Sequence, residues 1–161
     1  MPITETELEE ARKAWGDALV KIATAYDEDG IDSARKIAGD VLDAAYGYNL
    51  GPVLFKPTLA SGEKTFRPTK KGAQSYFVAH DPDYPLDGGF ALKGWRECRS
   101  ETSASFIEGD VAMWMGWVIM TDKDGGVTKV DKSWGYKKDA DGTLRIVLHH
   151  SSLPYNPEAA A

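Results

Sequence analysis

Val111-Ala-Met-Trp-Met-Gly-Trp-Val-Ile-Met120 carries no polar side chain over ten residues. Extended, it places Ala112, Trp114, Gly116, Val118 and Met120 on one side and Val111, Met113, Met115, Trp117 and Ile119 on the other. Both sides are apolar and both read as buried. One side can face a core, while the other needs a cover that a 161-residue chain can hardly supply without leaving a patch in water. The pattern therefore predicts a homodimer formed through a sheet face.

Around this stretch lie three more β-type runs, at about 93–107, 127–138 and 143–152. They are separated from it and from each other by Glu108-Gly109, Asp122-Lys-Asp-Gly-Gly126 and Asp139-Ala-Asp-Gly142, short turns that make consecutive antiparallel hairpins. The Asp-x-Asp-Gly units in two of these turns lack the remaining ligands of a calcium loop and read as turns.

Upstream the period changes from two to between three and four. Thr4 or Thr6 can cap a helix whose first turns carry Glu5, Glu7, Glu9 and Glu10, and Leu8, Ala11, Trp15, Ala18, Leu19, Ile22 and Tyr26 form its apolar face. Gly30 stops it. Asp32 or Ser33 opens a second helix with Ala34, Ile37, Ala38, Val41, Leu42 and Ala45 on its buried side, antiparallel to the first. Residues 52–58, with Pro52 and Pro57, read as a short extended piece at a sheet edge. A third helix is expected between Thr69 and His80, with Ala73, Tyr76, Phe77 and His80 sharing a face. The turn-rich stretch 81–89 reads as a loop over an opening.

Three helices followed by a meander, with helices on one sheet face, form an α+β layout. It resembles the cone-shaped cystatin-like or nuclear-transport-factor-2-like (NTF2-like) barrel, with N-terminal helices packed on a curved antiparallel sheet around a pocket. The expected organisation is one domain over residues 1–153 and a short tail over 154–161. That fold hosts enzymes, binding modules and association domains alike.

Composition narrows the classes. Apolar residues at 42% and charged residues at 27% are ordinary for a globular domain, and 161 residues suffice to bury roughly 70% of the unfolded surface. A net charge of −6 repels phosphate backbones and Lys70-Lys71 is too short for a basic stripe, so nucleic acid is not an expected partner. The single cysteine, Cys98, cannot form an internal disulfide, which suits a reducing compartment. The start, Met1-Pro2-Ile3-Thr4-Glu5, lacks a signal peptide's basic and apolar regions, and no apolar run is long enough to span a bilayer. A cytoplasmic protein without membrane contact is expected.

The chemistry concentrates at His149-His150-Ser151-Ser152, which holds two of the three histidines and ends the final strand. Strand alternation pairs His149 with Ser151 on one face and His150 with Ser152 on the other, so one imidazole and one hydroxyl enter the pocket together. Leu144, Ile146 and Leu148 favour burial of His150 and Ser152, whereas a bulge would reverse that choice. Either pair sets a group that titrates near neutrality beside a short hydroxyl. Adjacent histidines on opposite faces cannot share a metal without His80 and a distortion, and no Cys-x-x-Cys exists. There is no phosphate-cradling glycine loop and no nucleophile elbow. Cys98 and the tryptophans read as packing residues.

These residues resemble the iota-class carbonic anhydrases, whose domain is similar to the association domain of calcium/calmodulin-dependent kinase II. The resemblance rests on His149-His150-Ser151-Ser152-Leu153-Pro154, Phe55-Lys56-Pro57-Thr58, Ala104-Ser105-Phe106 through Trp114-Met115-Gly116-Trp117, and Lys132-Ser133-Trp134-Gly135-Tyr136, and it covers most of the chain. It implies interconversion of carbon dioxide and bicarbonate in a homodimer. The scarcity of metal ligands aligns the chain with the metal-free branch, with no cofactor. The resemblance further implies Thr58, Tyr76, His149 and Ser151 as the catalytic set, with Thr58, Tyr76 and Ser151 binding substrate. On this view a water held by Tyr76 and Ser151 attacks carbon dioxide, Thr58 and a backbone N–H support the developing bicarbonate, and His149 carries the proton to buffer. The alternatives on the same fold are a small-molecule-binding module, an association domain without catalysis, and an isomerase or cyclase that would need a pocket acid such as Glu101, Glu108 or Asp110.

Overall fold

The computed structural model describes residues 1–158, so the last three residues of the expected 154–161 tail lie outside the described residues. Helix α1 (Glu5–Asp29) starts where the Thr4 hydroxyl accepts the Glu7 amide and the Glu7 carboxylate accepts the Thr4 amide, which satisfies two end donors reciprocally. Gly30, at φ +91°, ends it in a conformation that L side chains rarely adopt. Helix α2 (Ile31–Ala45) follows at once and has no side-chain cap, so neither Asp32 nor Ser33 opens it. Helix α3 (Lys70–Val78) is capped by Thr69, and positive φ at Ala79 and His80 closes it. His80 therefore leaves the helical face and is exposed.

The sheet contains β1 (Leu54–Lys56), β2 (Trp95–Glu108), β3 (Val111–Asp122), β4 (Val127–Lys138) and β5 (Leu144–Ser152), in the order β1-β5-β4-β3-β2. Strands β2 to β5 form the expected antiparallel meander. Strand β1 pairs with β5 in parallel, so the sheet is mixed, and it is open, with edges at β1 and β2, rather than a closed antiparallel barrel. Most of the chain separates β1 from β5, so no hairpin dictates its direction. Register shifts leave Arg96 and Ser103 in β2 and Val147 in β5 without paired partners. Such bulges bend and twist the strands that carry them, giving the sheet its curvature.

Only one side of β3 is fully covered. Ala112, Trp114, Val118 and Met120 pack beneath α1, where Trp15 meets Trp134 edge-on at 5.3 Å. On the outer side Ile119 is buried, but Met113 and Met115 remain 49% and 58% exposed beside Phe106 at 60%. Within one chain the outer side of β3 thus lacks the cover that its apolar pattern calls for. No helix among the described residues is long and apolar enough to cross a membrane.

Gly116 is the narrow point of the covered face. A Cβ there would meet the Glu101 carbonyl oxygen and lie 2.8 Å from the Trp114 ring. Gly116→Ala should therefore destabilise the chain by about 1–3 kcal/mol through overpacking, read as a lower urea midpoint followed by tryptophan fluorescence.

Candidate active site

Strand β5 turns at Val147. Ile146 faces Tyr136, Leu148 faces Gly135, and Val147 stands between them without a partner. The alternation restarts one residue out of phase, so Ile146, His149 and Ser151 all point inward. His150 is exposed, and Ser152 donates to Asp131 on the outer side. The burial predicted from Leu144, Ile146 and Leu148 is overturned by this bulge, and the pair inside is His149 with Ser151.

Thr58, Tyr76, His149 and Ser151 are all brought inside, at 9%, 5%, 1% and 0% exposure. Thr58 follows β1, and its parallel pairing with β5 carries the threonine to the serine: Thr58 Oγ1 and Ser151 Oγ lie 2.6 Å apart. Lys56 Nζ donates to the Ser151 carbonyl at 2.8 Å and ties the same two strands. Tyr76 reaches in from α3, and its hydroxyl accepts the Leu59 N–H at 3.2 Å. Burial raises the Tyr76 phenol to about 12, so it is a neutral hydrogen-bonding group at neutral pH. Phe55 closes the cluster from below, stacking on His149 at 4.5 Å and meeting Tyr76 edge-on.

His149 has no direct exit to solvent. Its Nδ1 lies 2.8 Å from Tyr46 Oη, which also accepts the Trp15 indole N–H at 3.0 Å, and its Nε2 lies 2.8 Å from Lys132 Nζ. Burial, then the Lys132 charge and His150, lower its proton affinity well below the ordinary histidine value. A proton handed straight from His149 to buffer does not suit this enclosure.

Sequence reasoning missed Lys132, Tyr46 and the ion pair that borders the cluster. The signal for Lys132 was alternation along β4, where Val130, Lys132, Trp134 and Tyr136 share the buried side. Arg67 and Asp87, both nearly sealed from water, form a two-pronged ion pair, with Nη2 to Oδ1 at 2.7 Å and Nη1 to Oδ2 at 2.8 Å. Ser75 donates to the same carboxylate, so the 81–89 loop is fastened to α3. A cavity of about 310 Å³ opens between that loop and residues 59–67, lined by Leu59, Arg67, Tyr84 and Asp87 among others. Leu59 joins this opening to the Tyr76 hydroxyl.

Glu101, Glu108 and Asp110 are all exposed, so none supplies the pocket acid of an isomerase. Cys98 is largely buried and its thiol is pushed up to about 11 by burial, as suits a packing residue. Among the described residues, no three His, Cys, Asp or Glu side chains group closely enough to hold a metal ion.

The family described as metal-independent carbonic anhydrase matches residues 6–153. A curated metal-independent carbonic anhydrase from Nostoc sp. is 56% identical over 153 residues, 95% of this chain and 75% of the relative. The crystal structure of an iota-carbonic anhydrase from a cyanobacterium, complexed with bicarbonate, superposes with a TM-score of 0.95 at 55% identity, covering 96% of this chain and 94% of that one. A calcium/calmodulin-dependent protein kinase II association domain from Xanthomonas campestris, described as putative in its own name, matches at TM-score 0.57 and 20% identity, covering 97% and 91%. That last likeness is one of fold.

Buried bases make the fold sensitive to acid. Folded His149 stays neutral below the ordinary value of 6.5 while the unfolded ring takes up a proton there, so the unfolded state binds more protons and stability falls as pH drops through that range. The urea midpoint should drop more between about pH 7.5 and about pH 5.5 in the wild type than in His149→Gln, which has no imidazole to protonate.

Proposed function

This chain belongs to the metal-independent carbonic anhydrase family, and we propose that carbon dioxide and bicarbonate are interconverted at the hydroxyl cluster of Thr58, Ser151 and Tyr76. The observation that carries this assignment is the 2.6 Å contact between the Thr58 and Ser151 hydroxyls, buried where β1 meets β5 and enclosed by Phe55, Tyr76 and His149. Bicarbonate in the cyanobacterial iota-carbonic anhydrase supports the same ligand here.

The chemical problem is the attacking water. Free water has a pKa of about 15.7, and a hydrase that works without a metal has to lower the barrier by position and hydrogen bonding. Neutral hydroxyls suit that task because each can both donate and accept. Ser151 accepts from water and Thr58, which accepts the Ser151 hydrogen at rest, donates its own to the oxygen that becomes negative, while Tyr76, neutral at working pH and fixed by the Leu59 amide, donates to bicarbonate. The apolar walls suit uncharged carbon dioxide. Substrate enters by the cavity beside Leu59 and Arg67.

Residues 1–153 act as one catalytic domain with a short tail after it, in the cytoplasm, where a lone unpaired Cys98 stays reduced. A second copy of the chain covers the outer face at Phe106, Met113 and Met115, which is apolar at its centre, as a face-to-face homodimer requires.

Two experiments test these assignments. Stopped-flow hydration of carbon dioxide by chelator-treated protein should show turnover, and Ser151→Ala, Thr58→Val and Tyr76→Phe should each lower it by about 10²–10³ if their hydroxyls support the developing charge. Tyr76→Phe at full activity removes the tyrosine from the site. The double variant Met113→Lys with Met115→Lys should sediment as a monomer where the wild type sediments as a dimer, and a monomeric wild type refutes the dimer.

A further inference from the structure

Hydration of carbon dioxide makes two charges at once, a bicarbonate anion and a proton. In a site walled by aromatic rings, separating them is costly unless a nearby base keeps the proton. His149 is poorly placed for this, since both ring nitrogens are already engaged.

Lys132 is placed for it. On β4 it lies directly opposite Ser151 in the register, on the same covered face. Facing side chains on neighbouring strands have Cβ atoms about 4.5–5.5 Å apart, so the Lys132 and Ser151 side chains leave the sheet side by side. On the other flank Lys132 faces Gly116 of β3, which has no side chain to crowd it. The Nζ lies over the Trp15 ring at 4.8 Å and the Trp134 ring at 5.6 Å, and 2.8 Å from His149 Nε2. Among the described residues Lys132 forms no ion pair with a carboxylate, and its Nζ is hydrogen-bonded to His149.

We propose that Lys132 is the proton-accepting residue of this active site, an inference that rests on the carbonic anhydrase assignment above. As the water oxygen bonds to the carbon of carbon dioxide, one water proton passes across the Ser151 hydroxyl to the Lys132 lone pair. The products are bicarbonate and a lysine ammonium. The site stays neutral in sum, and the new cation sits beside the new anion, supplying the positive charge that holds bicarbonate as it forms. When Lys132 gives up its proton, that attraction ends and bicarbonate is free to leave.

The surroundings fit a base that works near neutrality. Burial is the main cause that brings the Lys132 amine down from 10.5 to about 7; Cys98 of β2 and Asp131 of β4 pull it up, and Lys56 of β1 pushes it down. His149 of β5 is neutral, and α1 contributes the Trp15 ring. Trp15, Trp134 and Cys98 also line a cleft of about 230 Å³ between α1 and the sheet, which gives the proton an exit apart from the substrate cavity.

One histidine tautomer serves both states of Lys132. With hydrogen on Nδ1, the ring donates to Tyr46 Oη, which also accepts from Trp15, at the cost of leaving the hydrogen of the buried Tyr46 hydroxyl without an acceptor among the described residues. Nε2 then accepts from Nζ, whether Lys132 is an amine or an ammonium, and the amine's lone pair stays open for the incoming proton. The opposite tautomer would occupy that lone pair with the Nε2 hydrogen.

Hydration rates across pH test the proposal together with the ¹⁵N spectrum of unmodified protein. Wild-type kcat should rise with pH through a step near 7, and Lys132→Met should lose about 10²–10⁴ in kcat together with that step. Lys132→Arg, which keeps the charge but cannot release its proton, should be equally slow. The ¹⁵N spectrum should show His149 protonated on Nδ1 on both sides of the step. An active wild type beside a Lys132→Met that keeps both rate and pH profile overturns this inference alone, as does an Nε2-protonated ring, which can be read even if the variants fail to fold. A wild type with no turnover overturns the carbonic anhydrase reading itself, and this proposal with it.

Discussion

One unpaired residue in β5 governs the facing of everything after it. Val147 adds a step to the strand that β4 does not match, and the pleat beyond it is shifted by half a period. Ile146 and His149, three residues apart, both point inward as a result. A regular strand would set them on opposite sides. It would then drive either an isoleucine into water or a histidine and a serine away from the threonine they meet.

Given that facing, the polar interior builds itself in two connected parts. Ser151 meets Thr58 because β1 docks on β5 in parallel with Leu54 opposite Leu148, and the strand end lands at the serine. His149 meets Lys132 and Tyr46 on its two ring nitrogens, so a buried histidine and a buried lysine are both hydrogen-bonded and neither is required to be charged. Unpaired buried charge would cost several kcal/mol, and the depressed proton affinities of both groups are the way such a cost is avoided. The same desolvation leaves an amine able to gain and lose a proton near neutrality. Stability and chemistry draw on one physical effect.

The edge of the site is held differently. Arg67 and Asp87 join two irregular segments that have little regular secondary structure of their own, and Ser75 and the carbonyls of Gly72 and Lys64 complete the set of partners. A buried two-pronged pair fixes position more than it adds stability. Here it sets the walls of the cavity beside Leu59, whose amide in turn orients the Tyr76 hydroxyl.

Local pattern was enough for the elements themselves: the capped amphipathic helix after Thr4, the stop at Gly30, the edge piece near Phe55 and the four-strand meander all follow from near-neighbour chemistry and from periods of 3.6 and 2. The motif His149 to Pro154 likewise pointed to the family and to the pair that faces inward, His149 with Ser151, although alternation alone favoured the outward pair. Lys132 was legible as an inward position on β4, beside Trp134, but not as a partner of His149. What only the tertiary structure decided was the bulge at Val147, the parallel docking of β1 and the contacts they create among residues 46, 58, 76, 132, 149 and 151. A bulge and a docking direction depend on the strand alongside, which lies far away in the chain, and so a side chain's own neighbours in sequence carry no trace of them.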